Sequence, residues 1–176
     1  MGIESTRLLA ITDRPFREVL QLVTGSPPDL VLVSQSMQPP PHSSIAVPPL
    51  PEDVDLLVRR SSYVHGGIVL SRHVSFVAAS ALPAGIGAAL RDANMDLSDV
   101  VATERVRKLD FSFGRAGAEG CVDEAILEGF NADGFLPEFV WRRYVGTVRE
   151  GPAFVILEAL AEELPAGVRA KPTGAR

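Results

Sequence analysis

The chain has 176 residues, 46% of them apolar and 22% charged, with a formal net charge of −5. That length suits one domain of ordinary size, and the composition is globular rather than disordered or fibrous. The acidic balance argues against a nucleic-acid platform, which needs a basic stripe over phosphates, and against docking on an anionic membrane.

The opening, "MGIESTRLLAITDR", lacks a basic start followed by an apolar core, so no signal peptide is expected. Leu8 to Thr12 is a short apolar run. Asp13 can cap a helix, and Pro15 suits its first turn because it has no N–H to leave unpaired. Phe16, Val19, Leu20 and Val23 recur at helical spacing until Gly25 stops them. "DLVLVSQ", residues 29–35, reads as a strand. "MQPPPHSSIAVPPLPEDV" carries six prolines and reads as a surface loop or as a wall over a pocket. "DLLVRRSSYVHGGIVLSRHVSFVAASALP", residues 55–83, reads as a long hairpin turning at Gly66-Gly67.

Pro83 ends the second arm, and Ile86, Ala89 and Leu90 give a short amphipathic helix. Asp96 caps a short turn over "LSDVV". Val106 to Phe113 alternates charged and apolar residues, as a half-exposed strand does. "EGCVDEAILEGF" is a weaker helix. "FVWRRYVGTVREGPAFVILEALAEELP" makes a second hairpin, turning near Arg149 to Gly151. The longest charge-free run, Val74 to Leu90, is broken by Pro83, Gly85 and Gly87 and is no membrane span. Strands that follow one another predict an α+β domain with a single antiparallel sheet. Residues 1–165 form that domain, and 166–176 form a polar, frayed tail. The whole reads as a soluble cytoplasmic protein, a monomer or a homodimer.

Glu158 stands out. On a strand it shares a face with Phe154, Ile156 and Leu160, and a lone carboxylate in an apolar row is costly unless it is paired, protonated or facing a cavity. The alternative is an edge strand with Glu158 in water. Arg59-Arg60 and Arg142-Arg143 sit inside strand-like runs, so one member of each pair points to each face. Arg143 shares a face with Phe139, Trp141 and Val145, and Arg142 with Val140, Tyr144 and Val148. An inward guanidinium needs a carboxylate, either from the protein, as in an Arg143–Glu158 salt bridge, or from a ligand. His42, His65 and His73 fall in loops or near the hairpin turn without metal-ligand spacing, so no metal and no other cofactor is expected. Cys121 is the single cysteine and reads as a small filler residue or an exposed thiol.

The order of these signatures resembles the chorismate pyruvate-lyase family, whose fold is shared with the ligand-binding domain of GntR-type transcription regulators. "LLAITDRPFREVLQLVTGSPPDLVLVSQ" is similar to the family's opening segment. "SFVAASALP" is similar to its "A-x-S/T-x-x-P" strand end, and "ALRDANMDLSDVV" to its leucine-rich turn. "REGPAFVILEALAEELP" is similar to its closing strand. The resemblance implies a barrel-like sheet with a few short helices around an internal pocket for an aromatic acid. It implies a carboxylate-binding arginine and a glutamate that serves in eliminating pyruvate. Glu158 takes the glutamate's place. Aligned through "LVRRSSYVHGG", Arg59 or Arg60 takes the arginine's; aligned through "YVHGGIVL", that position falls at Gly66 and the arginine is missing. A glycine pair belongs in a turn, which favours the first. Arg14 and Pro15 replace the family's turn serine and glycine, and Ser98 replaces a glycine.

The reading that follows is a cofactor-independent, lyase-like enzyme of small-molecule biosynthesis that binds a cyclic or conjugated carboxylate. Arg59 and Glu158 are its catalytic candidates. Arg60, Arg142, Arg143, Tyr63, Leu97 and Gln35 are its substrate-binding candidates. A relative with changed chemistry, a cyclase or dehydratase, is a close variant. A non-catalytic small-molecule sensor ranks lower, because regulators of this fold carry an N-terminal DNA-binding domain for which there is no room before Leu8.

Overall fold

The computed structural model describes residues 15–40, 50–51, 53–93, 95–115, 139–149 and 151–161. Helix α1, Phe16–Thr24, comes first, with Phe16, Val19 and Leu20 buried and Leu22 facing solvent. Pro15 occupies its N-cap rather than its first turn. Gly25 closes it in the left-handed conformation, φ 79°, donating to the Gln21 carbonyl at 2.8 Å. Six strands follow: β1 Asp29–Gln38, β2 Leu56–His65, β3 Ile68–Val77, β4 Arg107–Arg115, β5 Phe139–Val148 and β6 Gly151–Ala161. Between β3 and β4 lie a 3-10 turn, Ala79–Ala81, and helices α2, Ala84–Arg91, and α3, Leu97–Thr103. Asp96 starts α3 with a capping box: it accepts from the Leu97 N–H at 2.6 Å, and Asp99 accepts from the Asp96 N–H at 3.1 Å.

Both expected hairpins are present, and β1 runs on past Gln35 to Gln38. The turn between β2 and β3 is the glycine pair itself, with φ +57° at Gly66 and +81° at Gly67, values that few other residues accept. The Leu8–Thr12 run, Asp13, His42, most of the proline-rich segment, Cys121, the "EGCVDEAILEGF" helix and the 166–176 tail lie outside the described residues.

All pairings are antiparallel, in the order β1-β2-β3-β6-β5-β4, so the fold is α+β on one antiparallel sheet. Pairing of β3 with β6 joins the two hairpins and places β6 in the interior. That excludes the edge-strand alternative for Glu158. The three helices pack on one face. Leu82, Leu90, Leu97 and Val100 bury Leu57, Val77, Tyr144, Phe154 and Ile156 at one end of it. Phe16 and Leu20 of α1 pack with Tyr63, Leu70, Val140 and Leu160 at the other.

Gly146 lies directly across from Phe154, and the ring of this fully buried phenylalanine fills the place where a side chain at 146 would stand. Gly146→Ala therefore overpacks this end of the core and is expected to cost about 1–3 kcal/mol. Urea denaturation of the two proteins measures it, and an unchanged midpoint would contradict this packing.

Candidate functional site

Residues directly opposed on antiparallel strands share a face of the sheet. One row on the helix-covered face runs Ser61, His73, Glu158, Arg142 across β2, β3, β6 and β5. The parallel row two residues away runs Arg59, Ser75, Ile156, Tyr144. Arg60 and Arg143 lie in the row between, with Val74 and Leu157, and so on the opposite face. An empty volume of about 500 Å³, its open mouth included, sits over the first two rows. Strand residues Arg59, Ser61, Tyr63, His73, Ser75, Tyr144, Ile156 and Glu158 form its floor. Pro15 and Phe16 of α1 close one side, and Asp96, Leu97, Ser98 and Val101 of α3 close another.

Of the sequence-based candidates, Glu158, Arg59, Tyr63 and Leu97 line this cavity. Arg142 lies beside it in the Glu158 row. Gln35 is held elsewhere, its Nε2 donating to the Arg91 carbonyl at the end of α2. Arg60 and Arg143 face away from the cavity and make no contact with it.

Glu158 is 3% exposed and Arg142 1% exposed, and the Arg142 Nε–H donates to Glu158 Oε2. The guanidinium also lies 5.0 Å over the Phe16 ring and 5.6 Å from the Tyr144 ring. The partner of Glu158 is thus Arg142, not Arg143 as the sequence suggested. A β-bulge is the reason. At the turn Val148 opposes Gly151 and Thr147 opposes Pro152, but Gly146 opposes Phe154. Ala153 is the extra residue, and its carbonyl is taken by the Ala78 N–H at 2.9 Å. An uninterrupted ladder would set Trp141 opposite Glu158, with Arg143 on its face.

The β2–β3 hairpin uses the same device. His65 opposes Ile68 and Val64 opposes Val69, but Tyr63 opposes Ser71, with Leu70 as the extra residue. Without it Arg72 would oppose Ser61; with it His73 does. His73 is therefore a buried strand residue beside Glu158, not a loop histidine. The sequence offered its signal only as a parity that one inserted residue reverses.

Arg59 is 5% exposed. Its Nη2 donates to the Met95 carbonyl at 3.1 Å, while Nε and Nη1 are buried without a hydrogen-bond partner. Burial lowers its pKa, and the Asp96 charge partly offsets this. That Asp96 carboxylate is itself engaged by the Leu97 N–H and the Ser98 hydroxyl. Burial raises the pKa of Tyr63, with Asp96 and Glu158 adding to it, and raises that of Tyr144. Burial lowers that of His73 against the pull of Glu158 and Asp96. His73 Nε2 lies 2.9 Å from Ser71 Oγ and Nδ1 lies 3.8 Å from Glu158 Oε1. Among the described residues no group of three or more His, Cys, Asp or Glu side chains could hold a metal, and no helix is long and apolar enough to cross a membrane.

No family model and no curated protein matches this chain. Solved structures do. A GntR-family transcriptional regulator from Enterococcus faecalis V583 aligns over 84% of this chain and 100% of its own, with a TM-score of 0.52 at 12% identity. The C-terminal domain of PhnF aligns over 79% and 86%, with a TM-score of 0.52 at 12% identity. Identity this low carries the fold alone. The chain has the fold of GntR-type regulator C-terminal domains, as the sequence resemblance implied.

Two predictions follow from the charges. Removing one member of a buried ion pair leaves the other uncompensated, so Arg142→Met is expected to cost about 3–5 kcal/mol. The double variant with Glu158→Leu should recover part of that cost in a denaturation double-mutant cycle; strict additivity would show that the two charges do not interact. The second concerns acid. As pH falls through 6.5, the ordinary histidine value, the unfolded chain takes up a proton that the folded chain, with His73 depressed, does not. Stability then falls with pH. The drop in Tm from about pH 7.5 to about pH 5.5 should be smaller in His73→Phe than in the wild type, and an equal drop would remove His73 as a cause.

Proposed function

We propose that this chain is a ligand-binding domain that captures a small anionic molecule, a carboxylate or a phosphate, on Arg59. The observation that carries this reading is the state of that guanidinium. It lines the cavity, it is almost fully buried, and two of its three nitrogens have no partner. A buried charge with unmade hydrogen bonds is expensive for the folded state. An oxyanion entering the cavity accepts from one of these two nitrogens, with Nη2 beside it completing the fork, and removes part of that cost. Arg59 thus takes the carboxylate-binding role left open between Arg59, Arg60 and no arginine, because Arg60 lies on the other face.

Binding ranks above turnover here. One solved structure of the same fold, that from Enterococcus faecalis, is described as a transcriptional regulator. Glu158, the expected proton donor of an elimination, has one oxygen committed to Arg142. The acidic charge that argues against a nucleic-acid platform concerns this chain's own surface, and it does not separate a sensor from a regulator that contains one.

A panel of small carboxylates and phosphates, followed by thermal unfolding, tests this. A ligand present at about 100 times its Kd stabilises the folded state by about 2.7 kcal/mol, which raises Tm measurably. Arg59→Met should abolish that rise, weakening binding by about 2–5 kcal/mol, while leaving the unliganded Tm unchanged or higher. Ligand-induced stabilisation that persists in Arg59→Met would refute the reading.

A further inference from the structure

Arg59 shares the cavity with a carboxylate that no cation matches. Asp96 lines the same cavity, and no ion pair among the described residues reaches it. The other cavity carboxylate, Glu158, is matched by Arg142. The Arg59 Nη2 bond to the Met95 carbonyl, at 3.1 Å, holds the guanidinium beside the Met95–Asp96 peptide. Two opposite charges thus stand near each other without meeting. Asp96 is fixed where it is. Its Oδ1 accepts from the Leu97 N–H at 2.6 Å, its Oδ2 accepts from the Ser98 hydroxyl, and its own N–H donates to Asp99 at 3.1 Å. Two accepted hydrogen bonds leave about half the lone-pair sites of an ionised carboxylate open. Capping α3 does not account for the charge, since Asn caps a helix as well as Asp does. That charge is felt across the cavity floor. Burial is the larger influence on Arg59, Tyr63 and His73, and Asp96 pulls the pKa of all three upward.

We infer that the ligand is a zwitterion, an amino acid whose carboxylate meets Arg59 and whose ammonium meets Asp96. This rests on the reading of Arg59 as the anion site and names the class of ligand that site takes. A plain carboxylate on Arg59 brings a second negative charge beside Asp96, and like charges at close quarters in a buried site repel. An ammonium on the carbon next to the carboxylate removes that repulsion. It also donates charge-assisted hydrogen bonds to the open Asp96 lone pairs. The charges then balance: Arg59 offsets Asp96, Arg142 offsets Glu158, and the ligand carries no net charge. A hydroxyl in the same place donates to Asp96 but leaves the two negative charges unbalanced. An amine without a carboxylate leaves Nε and Nη1 of Arg59 unmet.

Calorimetric titration of the full chain at neutral pH tests this. The ligands are alanine, leucine and phenylalanine, each beside its des-amino acid, its 2-hydroxy acid and its decarboxylated amine. At least one amino acid is expected to bind about tenfold or more tighter than its three analogues. Asp96→Asn keeps a cap on α3 and removes the charge; it should weaken the amino acid and tighten the des-amino acid, so that the preference is lost. Should that variant not fold, the wild-type order of affinities decides by itself. Des-amino acids that bind as tightly as the amino acids or tighter, a hydroxy-acid preference, or an amino-acid preference that survives in Asp96→Asn overturns the inference and leaves the anion site standing. Amines that bind as tightly as their amino acids, or failure of every acid to bind, overturns the anion site, and the inference with it.

Discussion

A carboxylate on an interior strand commits its surroundings to supplying a cation. Glu158 has β3 on one side and β5 on the other, so water cannot reach it from a sheet edge. Its charge is answered by Arg142 on the neighbouring strand, and a pair at this depth is stable only when its geometry satisfies both partners. Arg142 in turn lies against Phe16 and Tyr144, so the first residue of α1 rests on the same charge. One ion pair thus links β6, β5 and the seat of α1.

The cavity follows from what stands next to that pair. Ser61 and Ser75 occupy floor positions where a Val or Leu would fill the space between sheet and helices. α1 covers one end of the face, and α2 and α3 cover the other. The gap between them is left to Arg59, Tyr63, His73 and the Asp96 cap. A site of this kind is a deliberate failure of packing: small side chains leave volume, and Arg59 on the floor, with the Arg142–Glu158 pair at its side, sets its polarity.

Much of the framework could be read from residue patterns. Gly66-Gly67 marked the first hairpin, because only positive φ joins strands that closely. Asp96 marked the start of α3, and Phe16, Val19 and Leu20 marked the buried side of α1. Glu158 was conspicuous because a strand's period of two leaves no other place for its side chain. His73 was not conspicuous, and Arg142 could not be told from Arg143. In both hairpins the turn lies several residues from the site, and a single bulged residue, Leu70 or Ala153, reverses which neighbour faces the cavity.

The sequence by itself determined the elements, the antiparallel order within each hairpin, and the presence of a carboxylate and arginines in strands. These depend on local propensity and on periodicity, which each residue expresses in place. Only the tertiary structure decided that the two hairpins join through β3 and β6, that Arg59 lines the cavity and Arg142 lies beside it while Arg60 and Arg143 lie on the other face, and that His73 stands beside Glu158. Those outcomes depend on register, and register was set where Leu70 enters the α1 core and the Ala153 carbonyl meets the Ala78 N–H. Both contacts join residues distant in the chain, so no local pattern records them.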